Sequence, residues 1–222
     1  VTVALSWIVL SIMGSGPFIT TGAIPNPIDA LFETGSGFTT TGASILTDVE
    51  ALSKSVMFWR SFTHWIGGMG VLVLLLSLLH IKGNGSLINL MRAESPGPSV
   101  SKLAPTIRST AKILYVIYVC MTLLEIVLLL LGKMPLFDAL TISFGTAGTG
   151  GFGIKNDSMA SYSSYLQVVV TIFMILFGVN FNAYFLILRK KFKQAFSIEE
   201  VRYYFLIILV SIAVISLVIQ DM

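Results

Sequence analysis

Two short strings in this chain carry the residues best suited to chemistry, and neither supplies a nucleophile. The first is Thr34-Gly35-Ser36-Gly37-Phe38-Thr39-Thr40-Thr41-Gly42-Ala43-Ser44, and the second is Gly145-Thr146-Ala147-Gly148-Thr149-Gly150-Gly151-Phe152-Gly153. Their useful atoms are backbone carbonyl oxygens, because glycine permits the angles that aim successive carbonyls inward. Threonine adds hydroxyl oxygens without adding charge. Carbonyls so arranged can replace the hydration shell of a cation. The ion-coordinating candidates are Thr40, Thr41, Gly42 and Ala43 in the first string, and Thr149, Gly150, Gly151 and Phe152 in the second.

Few other side chains offer chemistry. Glu33 and Arg60 are placed either to meet as an ion pair that supports the first string, or to part, with Arg60 snorkelling to headgroups and Glu33 facing a vestibule. Glu125 lies in an apolar run and must face protein or water, packing against the second string's helix. Asn180 and Asn182 either line an inner cavity or bond between helices. His64 has no cysteine, aspartate or second histidine at ligand spacing and reads as a packing residue. With His64 alone, paired catalytic side chains are lacking, which argues against an enzyme, and no cofactor is expected. The lone Cys120 excludes an intramolecular disulfide and reads as packing. Gly148, Gly150 and Gly153 fit the dinucleotide spacing, but no strand precedes them and apolar helix follows where an acidic residue is required.

The elements that position these strings belong in a bilayer. Of 222 residues, 55% are hydrophobic and 11% charged, and the mean hydropathy is +0.88. Apolar runs at Leu5 to Phe18, Val56 to Leu79, Ile113 to Leu131, Leu166 to Leu188 and Val201 to Ile219 read as membrane spans, the first truncated. The start at Val1 and the stop just past an apolar run suggest sequence missing on both sides. The basic residues sit beside helix ends and form no basic face, so no nucleic-acid partner is expected. Lys82, Arg92, Lys102, Arg108 and Lys112 crowd one connection, and Arg189, Lys190, Lys191 and Lys193 another. The positive-inside rule puts both in the cytoplasm and both glycine-rich strings outside. Asn84-Gly85-Ser86 matches a glycosylation acceptor but falls on the cytoplasmic side.

Each string emerges from a short apolar stretch of about a dozen residues that starts with proline, Pro27 to Phe38 and Pro135 to Ala147, too short to cross the hydrocarbon core. These read as re-entrant half-helices, with an interfacial helix as the alternative. Proline suits a first helical turn, and Asp29 and Asp138 complement the positive N-terminal ends. The chain also repeats: aligning Asp29-Ala30-Leu31 with Asp138-Ala139-Leu140 runs without a gap to Thr40 on Thr149 and Gly42 on Gly151. The order of span, half-helix, glycine-rich return and span recurs, as in transporters built from parallel repeats. The expected units are 1–81, a cytoplasmic connection over 82–111, 112–191, and 192–222 as a connection with the opening helix of a third unit.

Phe32-Glu33-Thr34-Gly35-Ser36-Gly37-Phe38-Thr39-Thr40-Thr41-Gly42-Ala43-Ser44, followed by Trp59-Arg60-Ser61-Phe62-Thr63-His64-Trp65-Ile66-Gly67-Gly68-Met69-Gly70, resembles the Trk/Ktr/HKT superfamily of potassium transporters, specifically its bacterial Trk-type membrane subunit. The resemblance implies an all-α membrane protein of repeated helix–pore-loop–helix units, K⁺-channel-like, of which this chain would be a fragment of a four-repeat pore. It implies potassium uptake, by channel or symport, across the bacterial inner membrane, with one key filter glycine per unit. Gly42 has that role in the first unit and, by lacking the serine of sodium-favouring members, argues for K⁺. In the second unit the alignment favours Gly151 over Gly150. A homodimer bound to a cytoplasmic nucleotide-binding regulatory subunit is also implied. The rival reading is an alternating-access carrier for another cation or a small organic substrate, which would break a spanning helix in mid-bilayer.

Overall fold

The computed structural model describes residues 2–70 and 107–220, and these contain nine helices and no strand. In chain order the helices are α1 (Thr2–Thr20), α2 (Pro27–Phe38), α3 (Lys54–Gly68), α4 (Ile107–Leu131), α5 (Leu136–Ala147), α6 (Ser164–Phe177), α7 (Phe181–Leu188), α8 (Phe192–Phe196) and α9 (Glu199–Gln220). Most of the expected cytoplasmic connection lies outside the described residues, including Lys82, Arg92, Lys102 and Asn84-Gly85-Ser86. So does the run beyond Gly70 that was expected to complete a span to Leu79.

The two short helices set the plan. Each has twelve residues, about 18 Å of helix, which is far less than a bilayer core needs. α2 starts on Asn26, whose side chain accepts from the Ile28 N–H at 3.0 Å, with Pro27 in the first turn. α5 differs from expectation at this point: Pro135 sits one residue outside the helix, at the N-cap, and no side chain caps the end. Its fixed φ suits that extended position as well. Asp29 and Asp138 stand in the two first turns, and Asp138 accepts a hydrogen bond from the Tyr162 hydroxyl at 2.9 Å. Burial, and then this bond to a carboxylate, raises the Tyr162 pKa above that of an ordinary phenol.

The helices that follow, α3 and α6, end at equivalent places in the repeat, Gly68 and Phe177. Leu166 to Leu188, expected as one span, is therefore not straight. It breaks at Gly178–Asn180 and turns through 88° between α6 and α7. The break satisfies its own backbone: the Gly178 N–H returns to Met174 O, the Asn180 side chain accepts from the Asn182 N–H at 2.9 Å, and the Asn180 amide donates to Glu200 on α9. Continuous hydropathy concealed a joint formed by one glycine and one capping residue.

Among the described residues, α4 and α9 are long and apolar enough to cross a membrane, and the bent α6–α7 pair makes a third if counted as one span. The largest core lies where α3, α5, α6 and α7 meet α4, and contains Leu114, Tyr118, Leu129, Ile142, Phe173 and Phe177. Association in lipid depends on close fit and interhelical hydrogen bonds, since lipid tails match apolar side chains. The fit is aromatic where the units join: Phe62 and Trp65 of α3 both lie against Phe144 of α5, at 5.8 and 5.6 Å between ring centroids. Trp59 Nε1 donates to Gly14 O at 2.9 Å, and the Tyr118 hydroxyl donates to Trp65 O at 2.8 Å. Cys120 is exposed on α4, so it is not a core packing residue.

Candidate ion-coordination site

Both glycine-rich strings leave their half-helices in the same way. After α2, the Thr39 N–H bonds back to Gly35 O and the Thr40 N–H to Gly37 O. After α5, the Gly148 N–H bonds to Phe144 O and the Thr149 N–H to Thr146 O. These four bonds correspond one to one in the gapless register. The dihedral angles correspond too: φ is +55° at Thr40 and +54° at Thr149, and +75° at Gly42 and +74° at Gly151. Thr41 and Gly150, between them, have no positive φ. A β-branched residue in the left-handed region is strained, and the same strain at Thr40 and Thr149 is the kind that marks functional backbone. Sequence reading had not anticipated it, because threonine has no propensity for that region.

The returns come together in space. A Cβ at Gly42 would fall on the carbonyl oxygen of Gly150. Thr41, Ala43, Thr149 and Gly151 are exposed, whereas Thr40, Gly42 and Gly150 are half-buried. Phe152 departs from the other candidates. Its ring is buried, and its carbonyl oxygen faces Gly145 of its own half-helix, 2.6 Å from where a Cβ there would stand.

Behind the returns lies an ion pair. Arg60 Nε donates to Glu33 Oε1 at 2.6 Å, with the two side chains 5% and 0% exposed, so Arg60 does not snorkel. The Glu33 carboxylate also accepts from the Ser44 hydroxyl at 2.9 and 3.1 Å and from the Ile45 N–H at 3.1 Å. Arg60 Nη1 donates to Gly153 O at 2.8 Å, and its guanidinium lies 3.7 Å over the Phe152 ring. One arginine thus fastens the exit of the first return, through Glu33, to the exit of the second. Gly153 O and Ser44 were missed as partners, since nothing in their types marks them.

The remaining candidates lie apart from the returns. Glu125, fully buried in α4, has Thr146 of α5 beside it, but that hydroxyl donates to Ile142 O, and neither carboxyl oxygen has a hydrogen-bond partner among the described residues. Asn180 is held in the joint and by Glu200. Asn182 is buried, with no hydrogen-bond partner for its side-chain oxygen among the described residues. The described residues contain no cluster of side chains that could hold a metal ion. Outside the half-helices the two units are laced together on one side: the Asn156 amide donates to Asp48 Oδ1 at 2.8 Å, the Val49 N–H to Asn156 Oδ1 at 2.9 Å and the Asn156 N–H to Glu50 Oε1 at 3.0 Å. Both connections therefore share a side, and the repeat is parallel.

Two parallel units, each with a half-helix followed by a strained threonine–glycine return to the same side, define a membrane protein whose described residues are all-helical and built from a repeated helix–half-helix–helix unit. The chain belongs to the TrkH family, described as cation transport protein, whose family model matches residues 1–221. It is 39% identical over 189 residues to the Trk system potassium uptake protein TrkH of Vibrio parahaemolyticus, covering 82% of this chain and 38% of that protein. It is 34% identical over 220 residues to the Trk system potassium uptake protein TrkG of Escherichia coli, covering 97% of this chain and 45% of the other. The crystal structure of the potassium transporter TrkH from Vibrio parahaemolyticus superposes with a TM-score of 0.64 at 34% identity, over 82% of this chain and 36% of that one. The chain thus spans less than half the length of these relatives.

Proposed function

We propose that the two returns line part of a K⁺ uptake pathway, with carbonyls at Thr40 to Gly42 and at Thr149 to Gly151 as ligands of the dehydrated ion. The observation that carries this reading is the matched alternation of φ, positive, negative and positive, in both returns. In an extended strand of constant φ sign, successive carbonyls point to opposite sides. Reversing the sign at every second residue turns them toward one side, as a row of ion ligands requires. The same alternation favours Gly151 over Gly150 as the counterpart of Gly42. Phe152, with its carbonyl turned to Gly145, serves as a wedge and not as a ligand. The names of the relatives supply the ion: they are called potassium uptake proteins.

The break between α6 and α7 is the one feature that favours an alternating-access carrier. Its polar groups are mostly occupied by the helix cap and Glu200, which makes it a sealed joint more than a substrate site. The proposal extends to an inner-membrane setting with the returns on the outer side and the basic ends inside, to a homodimer, and to a cytoplasmic nucleotide-binding regulatory subunit. In the full-length protein, Gly42→Ser places a side chain at positive φ and against Gly150 O. It is expected to lower the ratio of K⁺ to Na⁺ uptake while the protein still reaches the membrane. Unchanged selectivity in a well-expressed variant removes Gly42 from the pathway.

A further inference from the structure

His64 was set aside as a packing residue, yet it occupies the junction of the two returns. It lies one turn after Arg60, and Arg60, His64, Gly67 and Gly68 occupy positions i, i+4, i+7 and i+8, a single face of α3. The upper half of that face has no side chains, which lets the helix approach both units. A Cβ at Gly67 would strike Phe38 O, and one at Gly68 would stand 2.9 Å from Ala147 O. The lower half carries the two side chains that reach the returns. Arg60 takes their exits, as described above. His64 takes their centres.

The imidazole is fully buried. Its edge lies on the backbone of the second return: a Cβ at Gly148 would be 2.5 Å from His64 Cδ2, and one at Gly150 would collide with Nε2. The ring also faces the Thr40 backbone of the first return and meets the Phe152 ring at 4.2 Å, edge to face. Phe152 is consequently held between Arg60 and His64. This accounts for glycine at 148 and 150, where φ is not positive and no turn demands it. A side chain at either position would expel the imidazole.

Neither ring nitrogen has a hydrogen-bond partner among the described residues. Buried polar atoms left in this way are uncommon and call for a reason. A neutral imidazole carries one donor and one acceptor on opposite sides of the ring. The Thr40 backbone of the first return faces the ring, and the Gly150 backbone of the second lies against its Nε2 edge. The charged group that acts on the ring is Arg60, one turn away and itself paired with Glu33. From the second return, Gly148, Gly150 and Phe152 pack against the ring, and none of them is ionisable.

We infer that His64 is a positioning residue for ion selectivity: as a ring with both a donor and an acceptor wedged between Thr40 and Gly150, it fixes the carbonyl rows of the two returns relative to each other. The inference rests on the reading that the returns coordinate the ion. It deepens that reading, because discrimination by carbonyls depends on how firmly separate rows are held at one spacing.

Three variants of the full-length protein test it: His64→Phe keeps a flat ring without polar atoms, His64→Gln keeps a donor and an acceptor, and His64→Ala removes both shape and polarity. Uptake of K⁺ and Na⁺ is measured with KM and maximal rate separated, after the amount of each variant in the membrane has been equalised. The Phe and Ala variants are expected to lose about tenfold in K⁺ over Na⁺ preference, the equivalent of one hydrogen bond's contribution, mainly through a higher KM for K⁺. The Gln variant is expected to recover most of that loss. Wild-type selectivity in His64→Phe, or a Gln variant no better than Phe, overturns the inference and leaves His64 as packing. If the Ala variant fails to reach the membrane, the comparison of Phe with Gln still decides. Gly42→Ser, run in parallel, separates the two claims: a selectivity loss there beside a wild-type His64→Phe rejects only the positioning role, and no loss in either rejects the reading of the returns.

Discussion

Removing the arginine behind the returns should damage the protein far more than losing a surface charge would. At 2.6 Å and an effective dielectric constant of about 20, the attraction between Arg60 and Glu33 is about 6 kcal/mol before desolvation is counted. Desolvation offsets much of that, so the net value of the intact pair is modest. The loss of one partner is a different matter, because the other remains as an uncompensated buried charge at a cost of about 3–5 kcal/mol. Arg60→Met strands the Glu33 carboxylate with only the Ser44 hydroxyl and the Ile45 N–H. It also removes the bond to Gly153 O and the stack on Phe152. We expect Arg60→Met to lower unfolding free energy by about 4 kcal/mol. Combined with Glu33→Gln, whose amide still offers Ile45 an acceptor and Ser44 a donor, it should cost at least about 2 kcal/mol less than the two single changes added together. Arg60→Lys should not restore the wild type, since a point charge cannot serve Glu33, Gly153 and the Phe152 face at once. The assay is equilibrium unfolding in mixed micelles of mild and denaturing detergent, with uptake measured on the same preparations. A coupling below about 0.5 kcal/mol, in the range of an exposed pair, would refute the reasoning.

Other outcomes follow from the same geometry. Single cysteines at Asp48 and Asp157 in a Cys120→Ser background should react with an impermeant thiol reagent from outside, and one at Lys193 only from inside. Labelling of Asp48 and Asp157 from opposite faces would contradict the parallel repeat. Asp48 is held below the ordinary aspartate pKa, chiefly by the Asn156 amide. A depressed carboxylate contributes stability that is present above the unfolded value and lost as pH falls through the folded one. The protection factor of the Val49 amide, which bonds the Asn156 side chain that Asp48 holds, should therefore fall only below about pH 4 once the intrinsic exchange rate is divided out, and protection that fades between pH 7 and 5 would assign the tie to another group.

How far the sequence reveals this arrangement depends on which residues carry it. The half-helices are legible because Asp29-Ala30-Leu31 and Asp138-Ala139-Leu140 repeat without a gap, and because a largely apolar stretch of about a dozen residues opened by a proline can neither cross a bilayer nor rest as a loop. The joint between α6 and α7 is not, since Leu166 to Leu188 is apolar throughout and its break depends on Gly178 and on Asn180 acting as a cap. The site is half legible. Glycine and threonine mark the returns, but the left-handed conformation of Thr40 and Thr149 runs against residue preference and is imposed by the surrounding structure. Arg60 and Glu33 are visible as charges in apolar surroundings, whereas Gly153 O is one carbonyl among many. His64 is readable only in retrospect, from its place on the Arg60 face and from two glycines, at 148 and 150, that leave room for its ring.

The central claim is that the carbonyls of Thr40 to Gly42 and Thr149 to Gly151 hold the transported ion. It is tested most directly by locating an electron-rich K⁺ substitute, thallium or rubidium, from its anomalous scattering in crystals of the full-length protein. The account predicts a peak between the two returns, level with Gly42 and Gly151, that disappears when excess K⁺ is added and weakens in Gly42→Ser. A peak at the joint near Asn180 and Asn182, with none at the returns, would contradict it.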